Sequence, residues 1–161
     1  MKKILILGFL SCLFAAGGPQ NKAFGLGAFV QVGPIYQNGF GATGSFWLDD
    51  NYSIDSYLRL ANDFSSIDLT AIYQMHYWDV FKPSAGKVPV YWGFGGGLGL
   101  WDGGYAIKGL LSVGLEFQFD NAPVALFSQI DPQIEVDFYD TEQTEWKPTF
   151  LWKIVGARFF F

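Results

Sequence analysis

The chain has 161 residues, which is the size of a single domain. Half of the residues are hydrophobic and only 16% are charged, so an intrinsically disordered chain is excluded. The net charge of −5 comes without a basic patch, and we therefore expect no nucleic-acid partner. No apolar run reaches the length of about 18 residues that a membrane-spanning helix needs.

The first predicted element in chain order is an export signal. Two lysines precede an apolar run from Ile4 to Ala16, and small residues follow this run. This order is typical of a secretory signal peptide, so we assign residues 1–18 to a cleaved signal and residues 19–161 to the mature domain. Cys12 is the only cysteine and lies in the signal, so we expect the mature chain to lack disulfides and cysteine chemistry.

Beyond residue 23 the hydrophobic pattern has a period of two, which indicates β-strands with one apolar face. The alternation from Tyr105 to Phe119 is far longer than a usual strand of about 5–6 residues. Gly, Pro, Asn and Asp clusters separate the alternating segments and mark turns. These signals predict eight strands, at about 23–33, 39–48, 52–61, 66–81, 88–101, 105–119, 123–138 and 149–161.

Short turns between successive strands predict an all-β fold, an eight-stranded antiparallel up-and-down transmembrane β-barrel. Pro132 lies inside the seventh segment, and we expect a bulge or kink there because proline cannot donate to a strand ladder. An even number of strands places both chain ends at one end of the barrel, so we expect the loops after strands 1, 3, 5 and 7 at the other end. Only the loop from Tyr139 to Lys147 is long, and we expect Lys147 to be exposed in it.

The two faces of the predicted strands differ in charge. One face is almost free of charge from end to end, as a lipid-facing surface must be. The other face carries charges among Ser, Thr, Gln and Gly, and we expect it to line the interior. A soluble lipocalin-like barrel would turn the apolar face inward and place Arg158 outside. The predicted lumen charge network consists of Asp55, Arg59, Asp68, Lys108, Glu116, Asp131, Glu135, Asp137 and Arg158.

This network has twice as many acidic as basic groups. An eight-stranded barrel is just wide enough for side chains to fill it, and a buried charge must be paired or neutral. We expect a plug of ion pairs, and the alternative is a narrow passage that favours cations. The two arginines, Arg59 and Arg158, are expected to lie among Asp55, Asp68, Asp131, Glu135 and Asp137.

The chain ends in a pattern of alternate aromatic residues. Gly156, Phe159 and Phe161 have the spacing of Gly, two residues, an aromatic, one residue and a terminal aromatic. This spacing resembles the C-terminal signal by which bacterial outer-membrane barrels engage their assembly machinery, although Ile154 stands at a usually polar position. The resemblance implies that the assembly machinery and outer-membrane lipids are partners and that the protein is located in the bacterial outer membrane. We expect a monomer.

A second resemblance depends on the hairpin that joins Trp78–Phe81 to Gly86–Gly96, and on Asn121-Ala122-Pro123 followed by Asp131-Pro132. With these residues, the stretch from about 46 to 161 resembles an uncharacterised family of small bacterial outer-membrane barrels. More broadly it is similar to OmpA- and OmpW-like eight-stranded barrels. The resemblance implies a fold and a location, with no established activity.

Residues that carry chemistry are sparse. His76 is the only histidine, whereas a metal site needs several ligands at suitable spacing and nucleophilic catalysis needs a base near the nucleophile. One type of lipid A deacylase uses a His-x-Ser motif, which His76-Tyr77-Trp78 lacks. We therefore predict no enzyme activity, no cofactor and no metal. The predicted role is structural, in envelope integrity, and the alternatives are a narrow channel for small solutes or hydrophobic compounds and a soluble secreted binding barrel.

Overall fold

Within the part of the chain that the structure describes, eight strands close into a barrel. The computed structural model describes residues 23–32, 38–81, 83–139 and 144–161. Each strand pairs antiparallel with the next, and the first pairs with the last, so the predicted up-and-down fold is confirmed. The strands are β1 (Phe24–Val32), β2 (Gly39–Trp47), β3 (Tyr52–Ala61), β4 (Ser66–Phe81), β5 (Gly86–Trp101), β6 (Gly104–Phe119), β7 (Val124–Tyr139) and β8 (Thr144–Phe160).

The segment at 1–18 that we assign to an export signal lies outside the described residues, so its role stays a prediction. A helix long and apolar enough to cross a membrane is not found in the described ranges.

The largest boundary error concerns β8. This strand begins at Thr144, whereas the sequence predicted a start at residue 149 after Pro148. The ladder with β7 continues through the proline, and Lys147 pairs with Glu135. The prediction that Lys147 lies in a long exposed loop is therefore wrong, because the alternation of β8 extends further than the turn-forming residues indicated.

The predicted irregularity in β7 is displaced. The register between β7 and β8 shifts between Phe127 and Gln129, and not at Pro132. At Pro132 the pairing with β6 is interrupted instead: paired residues stop at Leu110↔Gln133 and resume at Val113↔Ile130 without a change of register. Proline lacks the N–H that the ladder needs, which accounts for an interruption without an inserted residue.

The barrel has two different ends. The end that holds the start of β1 and the end of β8 is called the terminal end, and the opposite end, with the β3–β4 and β5–β6 turns, is called the mouth end. At both ends and between them, side chains alternate between the outside and the inside of the barrel, as the pleat of a strand requires. The inward set combines a small apolar cluster around Phe29, Ile72 and Phe127 with many buried polar groups.

Glycines make room for large inward side chains. A Cβ added at Gly156 would lie 2.1 Å from the Phe127 ring, and one at Gly114 would lie 2.5 Å from the Tyr91 hydroxyl oxygen. Because these distances are far below van der Waals contact, the absence of a side chain at each glycine is what allows the neighbouring ring to occupy the lumen.

Candidate functional site: the barrel interior

All nine side chains of the predicted lumen charge network lie inside the barrel, and none is more than 8% exposed. They come from β3, β4, β6, β7 and β8, at alternate positions that share the inward face. Eight of them form two clusters at different heights, which we describe separately, and the ninth, Asp131, belongs to the polar network between the clusters. The nine residues are Asp55, Arg59, Asp68, Lys108, Glu116, Asp131, Glu135, Asp137 and Arg158.

The cluster nearer the terminal end, here called the closed cluster, consists of Arg158, Asp55 and Glu116. Arg158 Nη2 lies 2.5 Å from Asp55 Oδ2, and Arg158 Nη1 lies 3.1 Å from Glu116 Oε2. All three side chains have no exposed surface. The guanidinium also lies 4.2 Å from the centroid of the Phe127 ring and donates to the Tyr57 hydroxyl at 2.6 Å. One cation thus holds two carboxylates in a place that water does not reach.

Neutral polar side chains satisfy the remaining oxygens of the two carboxylates. The hydroxyls of Ser45 and Ser53 donate to Asp55 Oδ1 at 2.7 and 3.0 Å. The amide of Gln118 donates to Glu116 Oε1 at 2.6 Å. Each carboxylate therefore accepts hydrogen bonds besides its ion pair, which offsets the desolvation of a buried charge.

A second polar network connects opposite walls of the barrel above the closed cluster. The hydroxyls of Tyr57 and Tyr91 lie 2.8 and 3.0 Å from Gln129 Oε1. The amide nitrogen of Gln129 donates in turn to Asp131 at 2.8 Å. Because Tyr57, Tyr91 and Gln129 belong to β3, β5 and β7, these bonds fasten strands that are not neighbours in the sheet.

Aromatic rings fill the terminal end. Trp47 and Phe160 are buried together with Ala125, and Trp78 packs against them. His76 lies 4.3 Å from the Trp47 ring, centroid to centroid, and its Nε2 lies 3.1 Å from Ser53 Oγ. Among the described residues, no group of three or more His, Cys, Asp or Glu is arranged to hold a metal ion. His76 belongs to this packed layer.

The other cluster, here called the mouth cluster, consists of Arg59, Asp68, Lys108, Glu135 and Asp137. Arg59 Nε donates to Asp68 Oδ2 at 2.6 Å, and Lys108 forms an ion pair with the same carboxylate. Lys108 Nζ also lies 3.5 Å from Glu135 Oε2. Two cations and two carboxylates thus alternate, and these four charges balance.

Asp137 completes the mouth cluster through a residue of the neighbouring strand. Lys147 Nζ lies 2.7 Å from Asp137 Oδ2, and it also pairs with Glu145 at 2.8 Å. The Lys147 side chain is 43% exposed, whereas that of Asp137 is 6% exposed. The ammonium group of Lys147 therefore lies at the rim of the barrel and pairs with a carboxylate in the interior, that of Asp137.

The middle of the lumen and its mouth end differ in how much empty space they contain. Between the clusters lies a cavity of only about 20 Å³, bordered by Tyr57, Arg59 and Asp131. At the mouth end lies a cavity of about 330 Å³, here called the mouth cavity, which is bordered by the mouth cluster and by Trp101 and Tyr139. The lumen is therefore filled at mid-height and open to water at one end.

The predicted surroundings of the two arginines are confirmed in part. Arg59 pairs with Asp68 and Arg158 pairs with Asp55, both from the predicted set, but Arg158 also pairs with Glu116, which the prediction left out of that set. Ion pairs across the lumen depend on the relative height of strands that are not neighbours, which alternation does not encode. The sequence reasoning also missed the bridging role of Tyr57 and Gln129, although alternation does assign both to the inward face.

At the end of β8, Phe159 and Phe161 point outward and are 45% and 61% exposed. Their rings lie 5.1 Å apart, and Phe161 also stacks near Phe24 of β1. Gly156 is on the inward face beneath Phe127. The three residues of the predicted assembly signal thus lie where β8 closes against β1, and their role in assembly stays a prediction.

In comparisons with known proteins, the chain matches no family model, and no curated protein shows significant similarity to it. The resemblance to small outer-membrane barrels therefore receives its support from the closed eight-stranded fold, and membership of such a family stays a prediction.

Proposed function

We propose that this chain is an integral β-barrel of the bacterial outer membrane, with a structural role in the cell envelope and a lumen closed by side chains. One observation carries the proposal: charge lies inside the barrel and apolar side chains lie outside. At the outward strand positions whose side chains the structure describes, every residue is uncharged. A soluble ligand-binding barrel needs the opposite arrangement, with an apolar interior.

The size of the apolar outer face supports a lipid environment. Leucines and isoleucines on five different strands are 45–57% exposed, namely Leu26, Leu58, Leu98, Ile107 and Ile134. Water-soluble monomers rarely expose a continuous apolar patch of more than about 300–600 Å². A belt of such residues around the barrel would be stable against hydrocarbon and would cause aggregation in water.

Strand length and the position of aromatic residues agree with this placement. β1, β2 and β3 have 9 or 10 residues, close to the about 9–11 residues of a membrane-spanning strand, and β4 to β8, with 16 or 17 residues, are longer than a span requires. Outward aromatic pairs lie toward both ends, with Tyr52 and Tyr73 near the terminal end and Tyr105 and Phe138 near the mouth end. Barrels of outer membranes carry such aromatic girdles at both interfaces.

The filled mid-section favours a closed lumen and argues against a channel. Arg158, Asp55 and Glu116 have no exposed side-chain surface, and the space above them is about 20 Å³. A water molecule needs about 10–15 Å³ of accessible cavity volume, so this space holds about one water molecule. A continuous water-filled path would require these side chains to move.

Cell fractionation and gel mobility test the location. The full chain, expressed in a bacterium with two membranes, is expected in the outer-membrane fraction and to migrate differently before and after boiling, because a closed barrel resists detergent until it unfolds. Recovery in the soluble periplasm with identical mobility in both samples would instead identify a soluble binding barrel.

Planar-bilayer recording tests the closed lumen. The purified wild-type protein is expected to give no steady unit current. Steady cation-selective currents from the wild type would overturn the structural role in favour of a narrow channel. In a channel, Arg158→Ala would increase the cation current at little loss of stability.

We infer a role in membrane assembly for the end of β8. A matched pair of variants tests this role. Replacing both Phe159 and Phe161 by Ser is expected to leave export intact and to reduce membrane insertion. Phe117 and Phe119 form a similar pair near the terminal end, with ring centroids 4.7 Å apart, so their double Ser variant is the control. Equal insertion of the two double variants would contradict a specific signal at the chain end.

A further inference from the structure

We propose that Phe64, in the turn between β3 and β4, inserts its ring into the lipid surface at the mouth end of the barrel. The proposal rests on the membrane location proposed above and names one contact that strand alternation does not predict. Three observations support it: a backbone conformation that is unfavourable for a bulky residue, an exposed ring beside the apolar outer face, and a place at the end of a strand about as long as a membrane span.

The backbone of Phe64 has a conformation that suits glycine. Its φ is 59°, and among the described residues it is the one residue other than glycine with a positive φ. The left-handed region is unfavourable for a bulky side chain, because the Cβ atom lies too close to the following carbonyl oxygen. In the β5–β6 turn at the same end of the barrel, the residue with a positive φ, of 85°, is Gly103. The chain thus has glycine at one such position and a large ring at the other.

The turn is held by hydrogen bonds that do not involve the Phe64 ring. The Phe64 N–H donates to the Ala61 carbonyl at 2.9 Å. The Asp63 carboxylate accepts from the Ser65 N–H at 3.1 Å and from the Ser65 hydroxyl at 2.6 Å. A residue that tolerates the left-handed region, such as Gly or Asn, could form the same bonds. The turn therefore does not account for the ring, and backbone strain of this kind often marks a functional contact.

The ring continues the apolar outer face of the barrel beyond the end of β3. It is 68% exposed and lies 5.9 Å, centroid to centroid, from the ring of Phe40 in β2, at an angle of 83°. Phe40 is itself 42% exposed and pairs across the sheet with Leu60 of β3. The Phe64 ring therefore lies on the outer side of the barrel wall, next to the surface for which we propose a lipid environment.

The length of β3 places the ring at a membrane surface. β3 has 10 residues, about the number that crosses the hydrocarbon layer, so its two ends reach the two surfaces of that layer. Phe64 follows the end of β3, Ala61, by three residues. The polar neighbours Asp63 and Ser65 are exposed and suit the headgroup region, and aromatic rings are enriched at this boundary. A second copy of the chain could also cover an exposed ring, but continuity with the apolar face favours lipid.

Nitroxide labels at single cysteines test the contact. Cys12 is the only cysteine, so Cys12→Ser leaves the full chain free for one label at a time. In phosphatidylcholine vesicles, we expect oxygen to reach the label of Phe64→Cys and a water-soluble nickel complex to be excluded from it. The nickel complex should reach the label of Asp102→Cys, in the exposed β5–β6 turn. Leu98→Cys, on the outward face of β5, is the reference for insertion.

The reference label separates the two possible failures. A label at position 98 that the nickel complex reaches would contradict the membrane location itself. A label at position 64 that is as open to nickel as the label at 102, with position 98 shielded, would overturn this proposal alone. A label at 64 that neither reagent reaches would indicate a contact with a second copy and would also overturn it. A heat-shifted gel band shows that each variant is folded.

A substitution that relieves the backbone strain gives a second test. Asn adopts the left-handed conformation more readily than Phe, so a role confined to the turn predicts that Phe64→Asn raises the urea midpoint of the vesicle-inserted protein. We expect a lower midpoint, because the ring loses its apolar contact with lipid. The variant and its reference both carry Phe40→Ala, so that the loss of the ring pair does not contribute. Phe64→Tyr keeps the ring and should match the reference. An unchanged or higher midpoint for Phe64→Asn would overturn the proposal.

Discussion

The closed cluster and the mouth cluster contain the same types of charged residue at inward positions but differ in their access to water. Both place Arg with Asp and Glu at inward positions of antiparallel strands. In the closed cluster every charged side chain lacks exposed surface, whereas the mouth cluster borders a cavity of about 330 Å³. The comparison teaches that alternation decides which side chains face inward, and depth decides whether water can replace a lost partner.

We expect the largest loss of stability from Arg158→Ala. This change leaves Asp55 and Glu116 buried without their cation, and removing one partner of a buried pair costs about 3–5 kcal/mol. Lys147→Ala is the comparison: Lys147 is 43% exposed, and its buried partner Asp137 borders the mouth cavity, where water can replace the ammonium, so we expect a loss of about 1 kcal/mol. Urea unfolding midpoints measure both. Similar midpoints for the two variants would mean that water already reaches the closed cluster.

Arg59→Ala is expected to have an intermediate effect, of about 1–3 kcal/mol. Lys108 still pairs with Asp68 after the change, and water from the mouth cavity can hydrate the carboxylate. The same urea midpoints test the order. A loss as large as that of Arg158→Ala would show that depth does not distinguish the two clusters.

Gly156→Ala tests packing at the height of the closed cluster without changing a charge. The new Cβ would lie 2.1 Å from Phe127, and overpacking of this kind costs about 1–3 kcal/mol. Gly109→Ala is the matched control, since no atom lies within 4 Å of a Cβ built there. We expect the control to be neutral or slightly stabilising. If both substitutions are silent, the Phe127 ring moves freely and the interior is not tightly filled.

The smallest effect concerns a charge outside both clusters, in the turn between β3 and β4. Hydrogen bonds from the Ser65 hydroxyl and the Ser65 N–H, at 2.6 and 3.1 Å, hold the pKa of Asp63 below its usual value. A lowered folded pKa stabilises the protein above the usual Asp pKa of about 3.9 and loses this effect as the pH falls through the folded value. Asp63→Ala should therefore lower the urea midpoint slightly at pH 7, and the difference from the wild type should shrink as the pH falls below the usual Asp value. A difference that does not change with pH would assign the effect to the turn and not to the charge.

Most of the fold was predictable because period-two alternation is a local signal. The seven segments from β1 to β7 were predicted within about two residues of their observed ends, and β8 was predicted five residues short. The error at β8 came from Pro148, which reads as a turn residue but pairs opposite Ile134 inside the strand. A proline in a long strand removes one hydrogen bond of the ladder. The remaining hydrogen bonds of the ladder outweigh that loss, so the strand continues through the proline.

The inward set was predictable for the same reason, but its pairing was not. Asp55, Glu116 and Arg158 come from β3, β6 and β8, which are not neighbours in the sheet. Their contact depends on strand tilt and on the one-residue shift between Phe127 and Gln129 in the register of β7 and β8. These are properties of the closed barrel as a whole, and no single segment of sequence contains them.

The position of Arg158 on the last strand has a consequence for the order of folding. Asp55 and Glu116 both precede the last strand, which carries the cation that neutralises them. Until β8 pairs with β1, the partly formed sheet holds two carboxylates that must stay hydrated or protonated. Closure of the barrel and neutralisation of its interior are therefore one event, delayed by the contact between the ends of the chain. Before β8 is in place, the charged face of the sheet stays hydrated, and the ion pairs of Arg158 do not yet contribute to closure.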